Sequence, residues 1–145
     1  MTTPLTQWAA RLLLAPTFMV AFGVLVKGYA DVGDGFSAGV IAALGILLQY
    51  VAFGHRVAEA LLPVRLAPTA AFGGLAIALV VLFLPVLLGD EVVTHYPRAG
   101  VEPVHLGTLE LITAVAFDVG VFLLVFGAAV GIIHFAAVAA DRGRE

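Results

Sequence analysis

Residues 69–89 read TAAFGGLAIALVVLFLPVLLG, a run without one charged side chain. About 20 predominantly apolar residues make a helix long enough to cross the hydrocarbon core of a bilayer. Charge is absent from the whole run, so no face of it is marked for water, as it would be on a soluble amphipathic helix. The stretch therefore reads as a membrane-crossing helix, with Pro85 in its last turn.

Three more stretches have the same character. They cover residues 8–28, 35–54 and 108–138. The chain has 145 residues, of which 62% are hydrophobic and 12% charged, with a mean hydropathy of +1.11. Soluble domains are about half apolar and about a quarter charged. A water-soluble chain of this length has too much surface for its volume to bury so many apolar side chains. The prediction is an all-α membrane protein, a single transmembrane domain over residues 1–145 and a bundle of about four transmembrane helices. Residues 12–26 resemble the apolar part of a signal peptide. No small-x-small cleavage site follows and the next residue is Lys27, so a retained first helix is expected. Pro16 should kink that helix or thin its hydrogen bonding. The fourth stretch exceeds one span and is expected to tilt or protrude.

The net charge of −3 leaves no basic surface for nucleic acid. The chain has no cysteine, which excludes disulfides, thiolate metal sites and cysteine nucleophiles. No nucleophile–base set and no metal-binding spacing is present, so no enzyme activity, catalytic residue, metal or cofactor is assigned. His95 and His105 lie with Asp90, Glu91 and Glu102 in a polar loop whose spacing matches no metal site. Arg11, Arg56, Arg65, Arg142 and Arg144 fall at one end of the bundle, Lys27 and Arg98 at the other. By the positive-inside rule both termini are expected in the cytoplasm.

Asp118 stands apart from every other acid. It lies in the run from Ala114 to Leu123, AVAFDVGVFL, with no other polar residue within four positions. If the fourth helix begins near Gly107, Asp118 lies about 16 Å along it. A carboxylate at that depth must face protein or water, pair with a cation, or stay protonated. Those alternatives suit an ion or proton path; the plainer one is a packing hydrogen bond. Glu110, eight residues earlier, would be about 80° round the same helix. With Thr113 it would extend a polar seam to the surface, unless it simply sits at the interface. Lys27, at the end of the first helix, would pair with Asp31, Asp34, Glu110 or Asp118, or extend to the interface. His134, near the other end of the fourth helix, is a proton relay or an interfacial histidine.

The glycines form a second pattern. Gly33 and Gly35 open the second helix, and Gly35/Gly39 and Gly127/Gly131 are spaced as pairs that let helices approach closely. The segment is not a phosphate cradle, because Phe36 stands where a Walker-type lysine is needed.

The segment from Val26 to Gly39, VKGYADVGDGFSAG, resembles the G-H-x-x-P-G-G-G-F-x-G-G segment of the MnhB/MrpB-like subunit of Mrp-type multisubunit cation/proton antiporters. The segment from Leu109 to Leu123, LELITAVAFDVGVFL, resembles that family's E-L-x-T-A-x-x-F-D-x-G-V-Y signature. Order, separation and length agree, so the resemblance covers nearly the whole chain. It extends to Gly28, Gly33, Gly35, Phe36 and Gly39, and to Glu110, Thr113, Phe117, Asp118, Gly120 and Gly127. The departures are Tyr29, Val32, Asp34 and Ala38, where the family has His, Pro, Gly and Gly.

The resemblance implies a membrane component of a multisubunit Na+ (or other monovalent cation)/proton antiporter in a prokaryotic plasma membrane. Other subunits, lipid, the cation and protons would be its partners. A related component of a membrane hydrogenase-type complex and a purely structural scaffold are the alternatives. In this reading Asp118, Glu110, Lys27 and Thr113 line an ion path. Gly33, Gly35, Phe36, Gly39, Gly120 and Gly127 form the structural motif.

Overall fold

The computed structural model describes residues 3–28, 33–89, 104–106, 109–111 and 113–143. Four helices in it are long and apolar enough to cross a membrane: α1 (Pro4–Lys27), α2 (Gly35–Phe53), α4 (Leu62–Leu87) and α5 (Thr113–Arg142). The short α3 (His55–Ala58) links α2 to α4. Two three-residue strands, β1 (Val104–Leu106) and β2 (Leu109–Leu111), pair antiparallel ahead of α5. The chain is a multi-pass, all-α membrane protein with this one small hairpin added.

Each helix begins for a local reason. Thr3 caps α1 by accepting the N–H of Thr6 at 3.3 Å, and Pro4 follows in the first turn. A proline costs no hydrogen bond there, because the first N–H groups of a helix have no partner within it. The same rule starts α4 seven residues earlier than residues 69–89 suggest. Pro63 occupies its first turn and Pro68 is carried inside it. Gly54, at φ +81°, ends α2 and turns the chain into α3.

The largest departure from the sequence reading is at the start of the fourth span. The expected helix over 108–138 begins instead at Thr113 and runs to Arg142. Residues 104–111, VHLGTLEL, alternate apolar and polar around a Gly-Thr pair. That is the period of a strand hairpin rather than of a helix. Leu106 pairs with Leu109, and Glu110 pairs with His105.

In space the order is α1, α2, α5, α4. α2 is the most enclosed helix, and α1 and α4 are the least. Ala38, Gly39, Ala42, Ala43, Gly45 and Ile46 are buried along α2. Small residues let neighbouring backbones approach, which matters in lipid, where apolar burial gives helices little reason to associate. Phe18 and Phe22 of α1 reach across to Phe126 and Phe122 of α5 at ring separations of 6.1 and 5.8 Å. One buried amide joins α1 to α2: Gln49 Nε2 donates to the Ala10 carbonyl at 2.7 Å.

The candidate site where α2 crosses α5

Asp118 is buried, with 5% of its surface exposed, where the start of α2 meets α5. It lies five residues into α5, about 7.5 Å along the axis. It is therefore nearer the helix end than the roughly 16 Å expected for a helix starting at Gly107. Its Oδ2 accepts the backbone N–H of Gly33 at 2.9 Å.

The surrounding glycines make room for this contact. A Cβ on Gly28 would stand 3.0 Å from Asp118 Oδ2, and one on Gly35 would overlap the Asp118 carbonyl oxygen. One turn further, a Cβ on Gly39 would meet the Phe122 carbonyl oxygen at 3.0 Å. Gly33 has φ +123°, in the region that side chains avoid. Thus Gly28, Gly33 and Gly35 bring backbone to the carboxyl where larger residues would hold it off. The first turns of both α2 and α5 lie beside it, and helix N-termini carry partial positive charge. The Gly33 N–H and these partial charges are what the fold sets against the buried carboxyl.

The other expected site residues divide. Lys27 Nζ pairs with Asp34 Oδ2 at 3.3 Å, with side-chain exposures of 67% and 26%. The lysine thus reaches outward to the second carboxylate beside Gly28 and not to Asp118. Thr113 is half-buried at the start of α5, about 140° round the helix from Asp118. Glu110 is in β2, so its expected helical relation to Asp118 does not hold; its side chain is outside the described residues. Asp31, Tyr29, Val32, His95 and Arg98 also lie outside them.

Phe36, by contrast, is 60% exposed. Gly120 and Gly127 face α4 instead: a Cβ on Gly120 would meet the Gly74 carbonyl at 3.0 Å, and one on Gly127 would overlap the Ala67 carbonyl. The glycine motif therefore serves two crossings, α2 on α5 and α4 on α5. Among the described residues, no three His, Asp or Glu gather closely enough to hold a metal ion. A second polar group, of which the sequence singled out His134 alone, joins Tyr50, Glu59 and His134 at the opposite end of the bundle.

A family described as a domain related to the MnhB subunit of Na+/H+ antiporter matches residues 5–131. The B-type subunit of the Na(+)/H(+) antiporter of Alkalihalophilus pseudofirmus is 38% identical over 81% of this chain and 82% of its own length. The protein of the same name from Bacillus subtilis is 31% identical over 88% of each chain. A probable K(+)/H(+) antiporter subunit of the A/B type, from Rhizobium meliloti, is 33% identical over 85% of this chain, which corresponds to 12% of that larger protein. The matched region takes in α1, α2, α4 and the Asp118 crossing, and the chain belongs to the MnhB family.

Proposed function

We propose that this chain is a membrane subunit of a multisubunit monovalent cation/proton antiporter, and that Asp118 is an ion-path carboxyl within it. Relatives named as Na+/H+ or K+/H+ antiporter subunits support the first part. The buried Asp118, held by the Gly33 N–H between two helix starts, carries the second. Its partners are the other subunits of the complex, and its contribution is to conduction and packing rather than to catalysis. Lys27 and Asp34 form the rim, where the lysine offsets one of two neighbouring carboxylates and leaves Asp118 for the moving ion.

Asp118→Asn tests this reading. The amide keeps the size of the side chain and an oxygen to accept from Gly33. It loses only the ability to carry charge or exchange a proton. Cation/proton exchange in membrane vesicles should fall at least tenfold while the complex still copurifies with this subunit. Normal exchange in the surviving complex, with or without reduced assembly, would make Asp118 a packing residue only.

A further inference from the structure

The end of the bundle opposite Asp118 holds a second arrangement of titratable groups. His134 of α5 lies sixteen residues beyond Asp118, about 24 Å along the axis. Its Nδ1 faces two groups at once. The Tyr50 hydroxyl of α2 lies 3.2 Å away, and Glu59 Oε1, in the turn after α3, lies 3.5 Å away. A neutral imidazole with its hydrogen on Nε2 accepts from Tyr50 at Nδ1. A protonated one donates from Nδ1 to the carboxylate of Glu59. Both partners of the same nitrogen are in place, so protonation needs only a rotation of the tyrosine hydroxyl.

The group is open to small ligands from two sides. His134, Glu59, Arg65 and Gly131 line a cleft of about 270 Å³. A Cβ on Gly131 would meet nothing within 4 Å, so the space beside it is open. Tyr50, His55 and Asp141 line a separate cleft of about 590 Å³. The hydroxyl–imidazole contact thus joins one cleft to the other.

The charged neighbours come from every helix at this end. Arg65 of α4 donates from Nε to the Glu59 carbonyl at 3.3 Å. His55 of α3 stands 3.7 Å from Asp141 of α5. Arg11 of α1 lies over the Phe53 ring, 4.9 Å from its centroid.

We propose that His134, Tyr50 and Glu59 form a proton-binding site, in which His134 Nδ1 takes a proton from water in the cleft and holds it against Glu59. The proton arrives as hydronium, adds to the imidazole lone pair and leaves water behind. The positive charge formed on the ring is balanced by the carboxylate already present. Histidine is the side chain whose charge ordinarily changes across physiological pH, which suits reversible loading. Two elements flank it, so the proton changes which of them α5 is bonded to: α2 through Tyr50 when empty, the α3–α4 turn through Glu59 when filled.

Deuterium exchange at the imidazole C2 position, read by peptide mass spectrometry across pH, tests this in the assembled complex in native membranes. Each histidine of the chain reports its own protonation midpoint. Glu59→Gln removes the anion that balances the filled state, and the His134 midpoint should fall by about 0.2–0.7 pH unit. Tyr50→Phe removes the donor that stabilises the empty state, and the midpoint should rise. His55, paired with Asp141, should not move in either variant. Glu59 is 42% exposed in a turn and Tyr50→Phe keeps the ring, so both variants retain the fold. A His134 midpoint unmoved by both substitutions overturns the proposal. The readout is a titration and not a flux, so it is independent of whether Asp118 conducts.

Discussion

At the scale of single residues, the exceptional position in the sequence is also the one around which backbone is arranged. Asp118 is legible because an acid in a run of Ala, Val and Phe has no other explanation than a partner or a path. Its partner is not legible. The donor is a main-chain N–H, 85 positions away, and the sequence shows Gly33 only as a residue with backbone freedom. The Tyr50–His134–Glu59 group is hidden for a similar reason: Tyr50 and His134 are 84 positions apart, and His134 alone reads as a proton relay or an interfacial histidine. The glycines allow a direct test of close approach. A methyl group at Gly35 collides with the Asp118 carbonyl oxygen, whereas one at Gly23 meets nothing within 4 Å. Gly35→Ala should therefore force α2 away from α5 and destabilise the protein by about 1–3 kcal/mol, as overpacking does. Gly23→Ala should leave stability unchanged or slightly raised. Thermal midpoints of the two purified variants check this; a larger loss at Gly23 than at Gly35 would contradict the described crossing.

At the scale of elements, apolar length locates all four spans and misjudges chiefly the start of α4 and the two ends of α5. Apolar content alone does not separate a helix from a short strand, so the residues just before α5 read as part of the helix that follows them. The two-residue alternation around Gly107-Thr108 is the available signal. Its consequence is functional, because it takes Glu110 off the Asp118 helix and shortens the depth of Asp118. Prolines mislead in the other direction. Pro63 and Pro68 look like loop residues, yet the first sits where a helix tolerates it and the second is carried within α4. The buried amide on α2 gives an element-scale prediction. α1 is the least enclosed span, with Ala10 and Ala21 as its buried residues. Gln49 Nε2 on the Ala10 carbonyl is a specific tie where few others exist. Gln49→Leu should weaken the α1–α2 association by about 0.6–1.7 kcal/mol, the average and upper values for hydrogen bonds between helices in membranes. Faster protease cleavage within the α1–α2 hairpin of the purified chain would register it. An unchanged cleavage rate would assign the association to the small residues of α2 and to the Gln7 Nε2 contact with the Ala52 carbonyl instead.

At the scale of the whole molecule, the two polar sites lie at opposite ends of α5, and α2 touches both. The Asp118 end carries Lys27, Asp34 and the hairpin of strands. The other end carries the N-terminal turn of α1, α3, and the last turn of α5. Of the described basic residues, Arg11, Arg56, Arg65 and Arg142 belong to the end with Tyr50 and His134, and Lys27 to the end with Asp118. By the positive-inside rule we propose that His134 lies toward the cytoplasm and Asp118 toward the exterior. This orientation would set which of the two groups faces external cation. The absence of cysteine makes it directly measurable, since one introduced thiol is the only target in the chain. Thr3 is exposed at the start of α1 and Leu88 is 63% exposed just beyond α4. In intact cells Leu88→Cys should react with a membrane-impermeant maleimide, and Thr3→Cys should react only after permeabilisation. The reverse pattern would turn the protein over in the membrane. Asp118 would then face the cytoplasm and the His134 cleft the exterior, so His134 would take its proton from outside the cell.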